Sequence, residues 1–457
     1  MTTYSKHSLH FILTIVTIIT LSCTYCSMVS AKNGDEQGYS VEFLKDVMKT
    51  IRSNYVKEVS ESMLVEYAIN GMVRSLDPHC DFFNKEHFQE VKISTEGEFN
   101  GIGVVMGMDR NMGKVLYVHE DGPAYHSGIK AGDYITTING TPTKSITKAT
   151  LLNQLKSNSL KSVHITVYRE RTRQTLQFNI TPRKIVIKPV KHRMLGDDVG
   201  YIKISSFNKK SFDMTQQALK TLLNPEAKRS TESIPPTKMN YSMKGIILDL
   251  RSNSGGLLEQ ATDIADLFLK SGDIVKVEGN NSSKRKVIKA TDVDITNGLP
   301  LVVLINKETA SAAEILAGAL QDNKRGLVIG EKSFGKGSVQ SIIQLNNDTA
   351  IKLTTDMYYT PSGRSIQATG IVPDIHVSPA TIQPIEQKSS QISSEADLIG
   401  HLPSRQALPE KDTTGSTDQG AYISTDIDKY QNDFQLLRAV DLVKGMALYQ
   451  SKMEPTA

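Results

Sequence analysis

Cysteine is nearly absent from the body of this chain. Of the three cysteines, Cys23 and Cys26 lie in an apolar N-terminal segment, which leaves Cys80 alone. A single thiol forms no internal disulfide and builds no metal site. Its setting, LDPHCDFF, is not electropositive, so Cys80 reads as a buried or neutral thiol rather than a nucleophile. Basic runs are missing as well. RTRQ and KRK stand isolated and the net charge is only +4, which leaves no nucleic-acid footprint. As a whole the chain is ordinary globular material: 457 residues, 39% hydrophobic and 22% charged, enough for two or three domains with some polar stretches.

The first 31 residues read as an export signal. Lys6 sits in a short polar head, an apolar run extends from Phe11 to Leu21, and Val29-Ser30-Ala31 is a small-residue cleavage site. Cleavage after Ala31 is expected; an uncleaved anchor in the inner membrane and a lipid at Cys23 are the alternatives. Each places the body outside the cytoplasm, in the periplasm or cell envelope.

From 38 to 96 the apolar spacing is helical, with Val41, Leu44, Val47, Met48 and Ile51 on one face and a second segment, SMLVEYAINGMVRSL, halted by Asp77-Pro78. The style changes at Glu98 to short strands and glycines. KVLYVHEDGPAYHSGIKAGDYITTINGTP reads as a strand, a Gly-Pro turn, a short helix ending at Gly128, and a strand leading to the hairpin pair Asn139-Gly140. This arrangement resembles a PDZ domain, here 97–182. The resemblance implies that Gly101, Ile102, Gly103 and Val104 present backbone amides to a peptide's terminal carboxylate, with an edge strand adding the peptide by main-chain hydrogen bonds. A glycine-rich hairpin without a ligand is the plainer reading.

Further on, KGIILDLRSNSGG gives a buried strand (Gly245–Leu250), a tight turn at Ser254-Gly255-Gly256 and then a helix. It lacks the G-x-G-x-x-G of a dinucleotide site; its glycines can instead expose amides that hold a developing negative charge. The polar, proline-containing segment Asn224–Asn240 before it reads as an exposed loop. Leu301–Asn306 is another buried strand, Ser311–Leu320 an Ala- and Leu-rich helix, and Gly326–Gly330 a strand running into the glycine-spaced loop EKSFGKG with Lys336. Ser311 and Glu314 form S-x-x-E, which taken alone is a capping box. Gly330-x-x-x-x-Gly335-Lys336 approaches a phosphate loop. Gly337 stands where that motif needs a hydroxyl, however, and SVQSIIQL alternates like a strand where a helix should open. After a turn at Thr360-Pro361-Ser362-Gly363 and a crossing at Gly370–Asp374, residues 379–457 read as a flexible section closed by an amphipathic helix, DFQLLRAVDLVKGMAL.

Taken together, SLDPH, GIGV, AGDYITTINGTP, ILDLRSNSGG, ETASAAEILAGAL, GEKSFGKGSVQ and YYTPSGRSIQATGIVPDI resemble the carboxy-terminal-processing, or tail-specific, serine proteases. The resemblance implies a multidomain α/β chain: the N-terminal helical unit (38–96), the β-rich PDZ domain, and a protease core (183–378) whose sheet is flanked by helices. It makes Ser311 the nucleophile, Lys336 the general base and Gln340 the residue that orients the lysine. The amide of Ala312, with that of Gly255 or Gly256, becomes the oxyanion hole. The chemistry is coherent, since a serine hydroxyl needs an adjacent base and a lysine acts as one only when uncharged, which enclosure away from water favours. Ser333 departs from the family by standing where threonine is common. No metal or organic cofactor is implied. The expected partners are protein substrates with accessible C-terminal tails, no nucleic acid, and further copies of the chain. The rival from another class is an inert PDZ scaffold that binds peptides without cutting them.

Overall fold

The computed structural model describes residues 39–145, 148–155, 161–224, 243–279, 285–382, 395, 398–402 and 432–453. The expected export signal, nearly all of the loop Asn224–Asn240 and most of the expected flexible section lie outside the described residues. The chain forms two compact units, 1–78 and 79–457.

In the first unit the helices Val41–Asn54 and Glu61–Arg74 start at Ser40 and Ser60, whose hydroxyls accept from the amides of Phe43 and Met63. The second helix ends before Asp77-Pro78, as the proline requires. Val41, Phe43, Leu44, Val47 and Ile51 are exposed.

The second unit opens with the strand Asp81–Phe83 and the helix Lys85–Glu96, which ends on left-handed Gly97. Sequence grouped this stretch with the helices before it. Pairing with Phe83↔Ala350 through Asp81↔Lys352 places it instead on a sheet of the core. Cys80 is buried beside it, its sulfur accepting from the Thr354 amide.

The glycine-rich region folds as a six-stranded antiparallel sheet around Ile102, Val115, Ile135, Leu151 and Ile165. Asn139 and Gly140 both take positive φ, as a tight hairpin needs. Strand Val104–Asp109 lies at the sheet's edge and, among the described residues, pairs only with Met112–Val118. Strand Arg183–Val186 returns to pair with Glu98–Gly101, closing the neck of this domain.

The core is built on a six-stranded sheet in the order Val190–Leu195, Val199–Ile204, Gly245–Asp249, Leu301–Ile305, Leu327–Gly330 and Ile375–His376. The first pair is antiparallel and the rest parallel. Both faces are covered, which is why these strands are apolar throughout. Ile246, Leu248, Val303 and Ile305 face the helices Ser211–Leu223, Leu258–Asp266 and Ala312–Asp322, whereas Ile247, Val302 and Leu304 face the C-terminal helix Phe434–Met453. A second, antiparallel sheet of five strands gathers Asp81–Phe83, Ser338–Gln344, Ala350–Tyr359, Asp273–Gly279 and Lys286–Lys289.

The C-terminal helix is anchored by charge as well as by apolar contact. Arg251, just beyond the central strand, donates to both carboxylate oxygens of Asp433 at 2.7 and 2.8 Å and to both of Asp249 at 3.0 and 2.8 Å. Burial pushes the Asp249 carboxyl up, but the Arg251 guanidinium and Lys203 outweigh it and hold the carboxyl below its ordinary value. Leu436 and Val443 fill the sheet's second face, so Leu436→Ala is expected to cost about 2–4 kcal/mol in urea unfolding of the core. Leu448→Ala, on the exposed side of the same helix, is the matched control and should change it by less than about 0.5 kcal/mol.

Candidate active site

Ser311 lies between a buried strand and a buried helix, in a conformation few non-glycine residues adopt: φ is 57° and ψ −121°. Such a backbone is held by its surroundings at a cost of about 1–3 kcal/mol. It is half-buried at the helix N-terminus, where the first amides have no partner within the helix. Gly255 packs directly against it, since a Cβ there would stand 2.8 Å from the Ser311 Cβ and 3.1 Å from the Ala312 nitrogen. Gly256, at φ 139°, has no space either; a Cβ would meet the Phe207 carbonyl. Only glycine lets this loop pass so close to the serine.

The loop's amides are not equivalent. Gly255 N–H donates to the side-chain oxygen of Asn253 at 2.9 Å, while the amides of Gly256 and Ala312 have no acceptor among the described residues. Asn253 is fully buried and fixes the loop three ways: its Nδ2 donates to the Ile204 carbonyl, its Oδ1 takes Gly255, and its carbonyl accepts from Ala310. Sequence reading offered Gly255 and Gly256 as equals, because a side chain that takes one of two adjacent amides leaves no mark in a glycine pair.

Lys336 belongs to the crossing between the two sheets. Strand Leu327–Gly330 ends in the parallel sheet, and strand Ser338–Gln344 begins in the antiparallel one. That strand, rather than a helix, follows the lysine, so the phosphate-loop geometry is not formed. Gly335 and Gly337 let the loop press against Gly370 and Gln367, whose atoms a Cβ would meet at 3.0 and 2.6 Å. The Tyr358 hydroxyl donates to the Lys336 carbonyl. Burial pushes that phenol well above its ordinary range, with a Ser311 hydrogen bond opposing and the Glu314 charge adding to it, so it stays a donor at neutral pH.

Between serine and lysine loop lies Glu314, fully buried. Its Oε2 accepts from the backbone amides of Ser311 at 2.8 Å and Lys336 at 2.9 Å; its Oε1 accepts from Gly335 N at 2.7 Å and Ser333 Oγ at 2.6 Å. Burial pushes this carboxyl up, and the four hydrogen bonds oppose the shift. Sequence saw only its helix-capping half. Ser333, Tyr358 and Asn253 gave no signal of their own, apart from the departure from threonine at 333.

A cavity of about 270 Å³ opens over this ground, lined among others by Gly256, Ser311, Ala312, Lys336, Gln340 and Tyr358. Gln340 turns its amide nitrogen to Ser338 Oγ at 2.9 Å and Thr354 Oγ1 at 3.2 Å. Gly101–Val104 is elsewhere, at the edge of the glycine-rich domain, where Gly103 (φ 88°) approaches Gly122 too closely for any side chain. Among the described residues, no group of acidic, histidine or cysteine side chains is arranged to hold a metal.

A strained serine beside amides without an acceptor among the described residues, sharing a cavity with a lysine, is an arrangement that suits serine hydrolase chemistry. Residues 198–377 match the model of peptidase family S41, residues 100–180 a PDZ domain, and residues 22–87 the N-terminal domain of the activating protease CtpB. A carboxy-terminal-processing protease of Bartonella bacilliformis is 37% identical over 88% of this chain and 87% of its own length. A carboxyl-terminal-processing protease of Synechocystis sp. is 31% identical over 76% and 78%, and the carboxy-terminal processing protease CtpA of Bacillus subtilis 31% over 76% and 70%. The chain belongs to the carboxy-terminal-processing serine proteases, with a PDZ domain ahead of the S41 core.

Asn253→Ala removes two buried hydrogen bonds at once from the glycine loop. It is expected to lower stability by about 2–4 kcal/mol in chemical denaturation, with each stranded polar group contributing about 1–3.

Proposed function

We propose that Ser311 is the nucleophile and Lys336 its general base in an exported endopeptidase that captures and cuts the C-terminal tails of envelope or periplasmic proteins. One observation carries the reading: Ser311, Lys336, Gln340 and the residues Gly256 and Ala312, whose amides have no acceptor among the described residues, border a single cavity. In the reaction, Ser311 Oγ attacks the scissile carbonyl as its proton passes to the neutral Lys336 amine. The carbonyl oxygen takes up the negative charge, held by the Gly256 and Ala312 amides. Collapse of this adduct breaks the C–N bond, and the lysine's proton goes to the departing amine. Water then attacks the acyl-serine with the same lysine as base, releasing the new carboxylate and restoring the hydroxyl. With Nε2 of Gln340 bound to Ser338 and Thr354, its amide oxygen is the atom left to accept from the lysine amine without adding a charge.

The PDZ domain supplies the tail reader. Strand Val104–Asp109 is an open sheet edge onto which an extended peptide adds, and the loop from Gly101 to Val104 has the close-packed glycine that brings amides up to a carboxylate. Export is supported by the N-terminal apolar run Phe11–Leu21 and the small-residue site Val29-Ser30-Ala31. Among the described residues, no helix is long and apolar enough to cross a membrane. The exposed apolar positions of the first two helices favour self-association.

An unfolded reporter with a free C-terminal carboxylate, and the same reporter amidated at that end, test the whole scheme. The parent protein is expected to cut the free tail at least about tenfold faster, as loss of a paired terminal charge implies. Ser311→Ala and Lys336→Ala are each expected to lower kcat by about 10⁴-fold or more while the fold survives. Cleavage persisting in either variant removes the dyad, and peptide binding without any cleavage by the parent supports the inert scaffold.

A further inference from the structure

We propose that Glu314 is a positioning residue for the dyad: its buried carboxylate cross-links the serine turn to the lysine loop. This rests on the dyad reading above. A capping box needs one bond, from the carboxylate to the amide at the helix start, and here that bond is the one to Ser311 N at 2.8 Å. Three further donors are unrelated to capping. Ser333 Oγ, Gly335 N and Lys336 N all come from the crossing between the sheets, and each lies 2.6–2.9 Å from a carboxylate oxygen.

The two oxygens are used symmetrically, and every neighbour is a donor. Ser333 is fixed in that role, because its own oxygen accepts from the Ile371 amide at 2.6 Å, which sends its hydrogen to Glu314. A protonated carboxyl in this place would aim its O–H at another O–H or N–H, so the arrangement is that of an anion. Four donors replace the water that burial removed, which is how a charge persists at this depth. Oε2 alone bonds the main-chain nitrogens of both Ser311 and Lys336. The two reacting side chains thus hang from backbone atoms that share one acceptor, whereas the sheets that carry them are separate. A shift of one ångström between reacting groups is enough to cost about 10²-fold in rate, so this cross-link acts on kcat.

The test is Glu314→Gln, which keeps shape and places an amide NH₂ against two donors. Its kcat on the free-tail reporter is expected to fall at least about 30-fold with KM within about twofold, and labelling of Ser311 by a fluorophosphonate to slow in parallel. Thermal unfolding and binding of a tail peptide to the PDZ domain show that the variant is folded. A folded Glu314→Gln with kcat closer to the parent than that overturns the proposal. If Glu314→Gln fails to fold, Ser333→Ala decides, since it keeps the carboxylate and removes one of its four bonds. A fall in kcat of about threefold or more at constant KM, the worth of one such bond, supports the cross-link, and a smaller fall overturns it. Activity in Ser311→Ala or Lys336→Ala sinks the dyad itself; a parent-like Glu314→Gln beside two inactive dyad variants sinks only the role of Glu314.

Discussion

One buried carboxylate with four donors joins the two halves of the proposed active site. The serine stands at the end of a parallel sheet and the lysine on the way into an antiparallel one, so no shared hydrogen-bond ladder fixes their separation. Glu314 meets both from the first turn of the serine's helix. A pair of sheets packed only by apolar contact can slide by fractions of an ångström; a short, saturated set of charge-assisted hydrogen bonds cannot do so without leaving a buried donor unpaired. The strained backbone at Ser311 belongs to the same arrangement, because its amide is one of the four donors.

Around that node the rest of the core acts as a frame. The parallel sheet is covered on one face by the serine's helix and its neighbours, and on the other by the C-terminal helix. Arg251 ties that last helix to the strand that leads into the glycine loop, while Asn253, two residues on, sets which of the loop's amides stays open. The distant end of the chain thus braces the segment next to the proposed oxyanion donors. The PDZ domain has a different task and a different construction: an edge strand left open and a glycine that admits no side chain.

Much of this was legible in the sequence, for identifiable reasons. The strands at Gly245–Asp249 and Leu301–Ile305 are short, apolar and followed by glycine or serine turns, so their burial on both faces is written in their composition. The helix after Ser311 and the hairpin at Asn139-Gly140 announce themselves by residue type. Strands Val190–Leu195 and Lys286–Lys289 did not, because both lie at a sheet edge, largely exposed, the first carrying Lys191, His192 and Arg193 in succession and the second a lysine at each end of only two apolar residues. The pairing of Asp81–Phe83 with Ala350–Lys352 is long-range, and periodicity carries no information about partners so far apart in the chain. Most instructive is Glu314. Local spacing explains its bond to Ser311 completely, and so hides the three bonds that only the fold creates.

The account stands or falls on how close the serine hydroxyl and the lysine amine come when a tail is bound. A crystal structure of the protein with a peptide boronate on Ser311 measures this directly. The expected result is Lys336 Nζ about 2.6–3.2 Å from Ser311 Oγ, with Glu314 still bonded to both backbone amides. An ordered lysine pointing away from the serine, beyond hydrogen-bond reach in that complex, contradicts it.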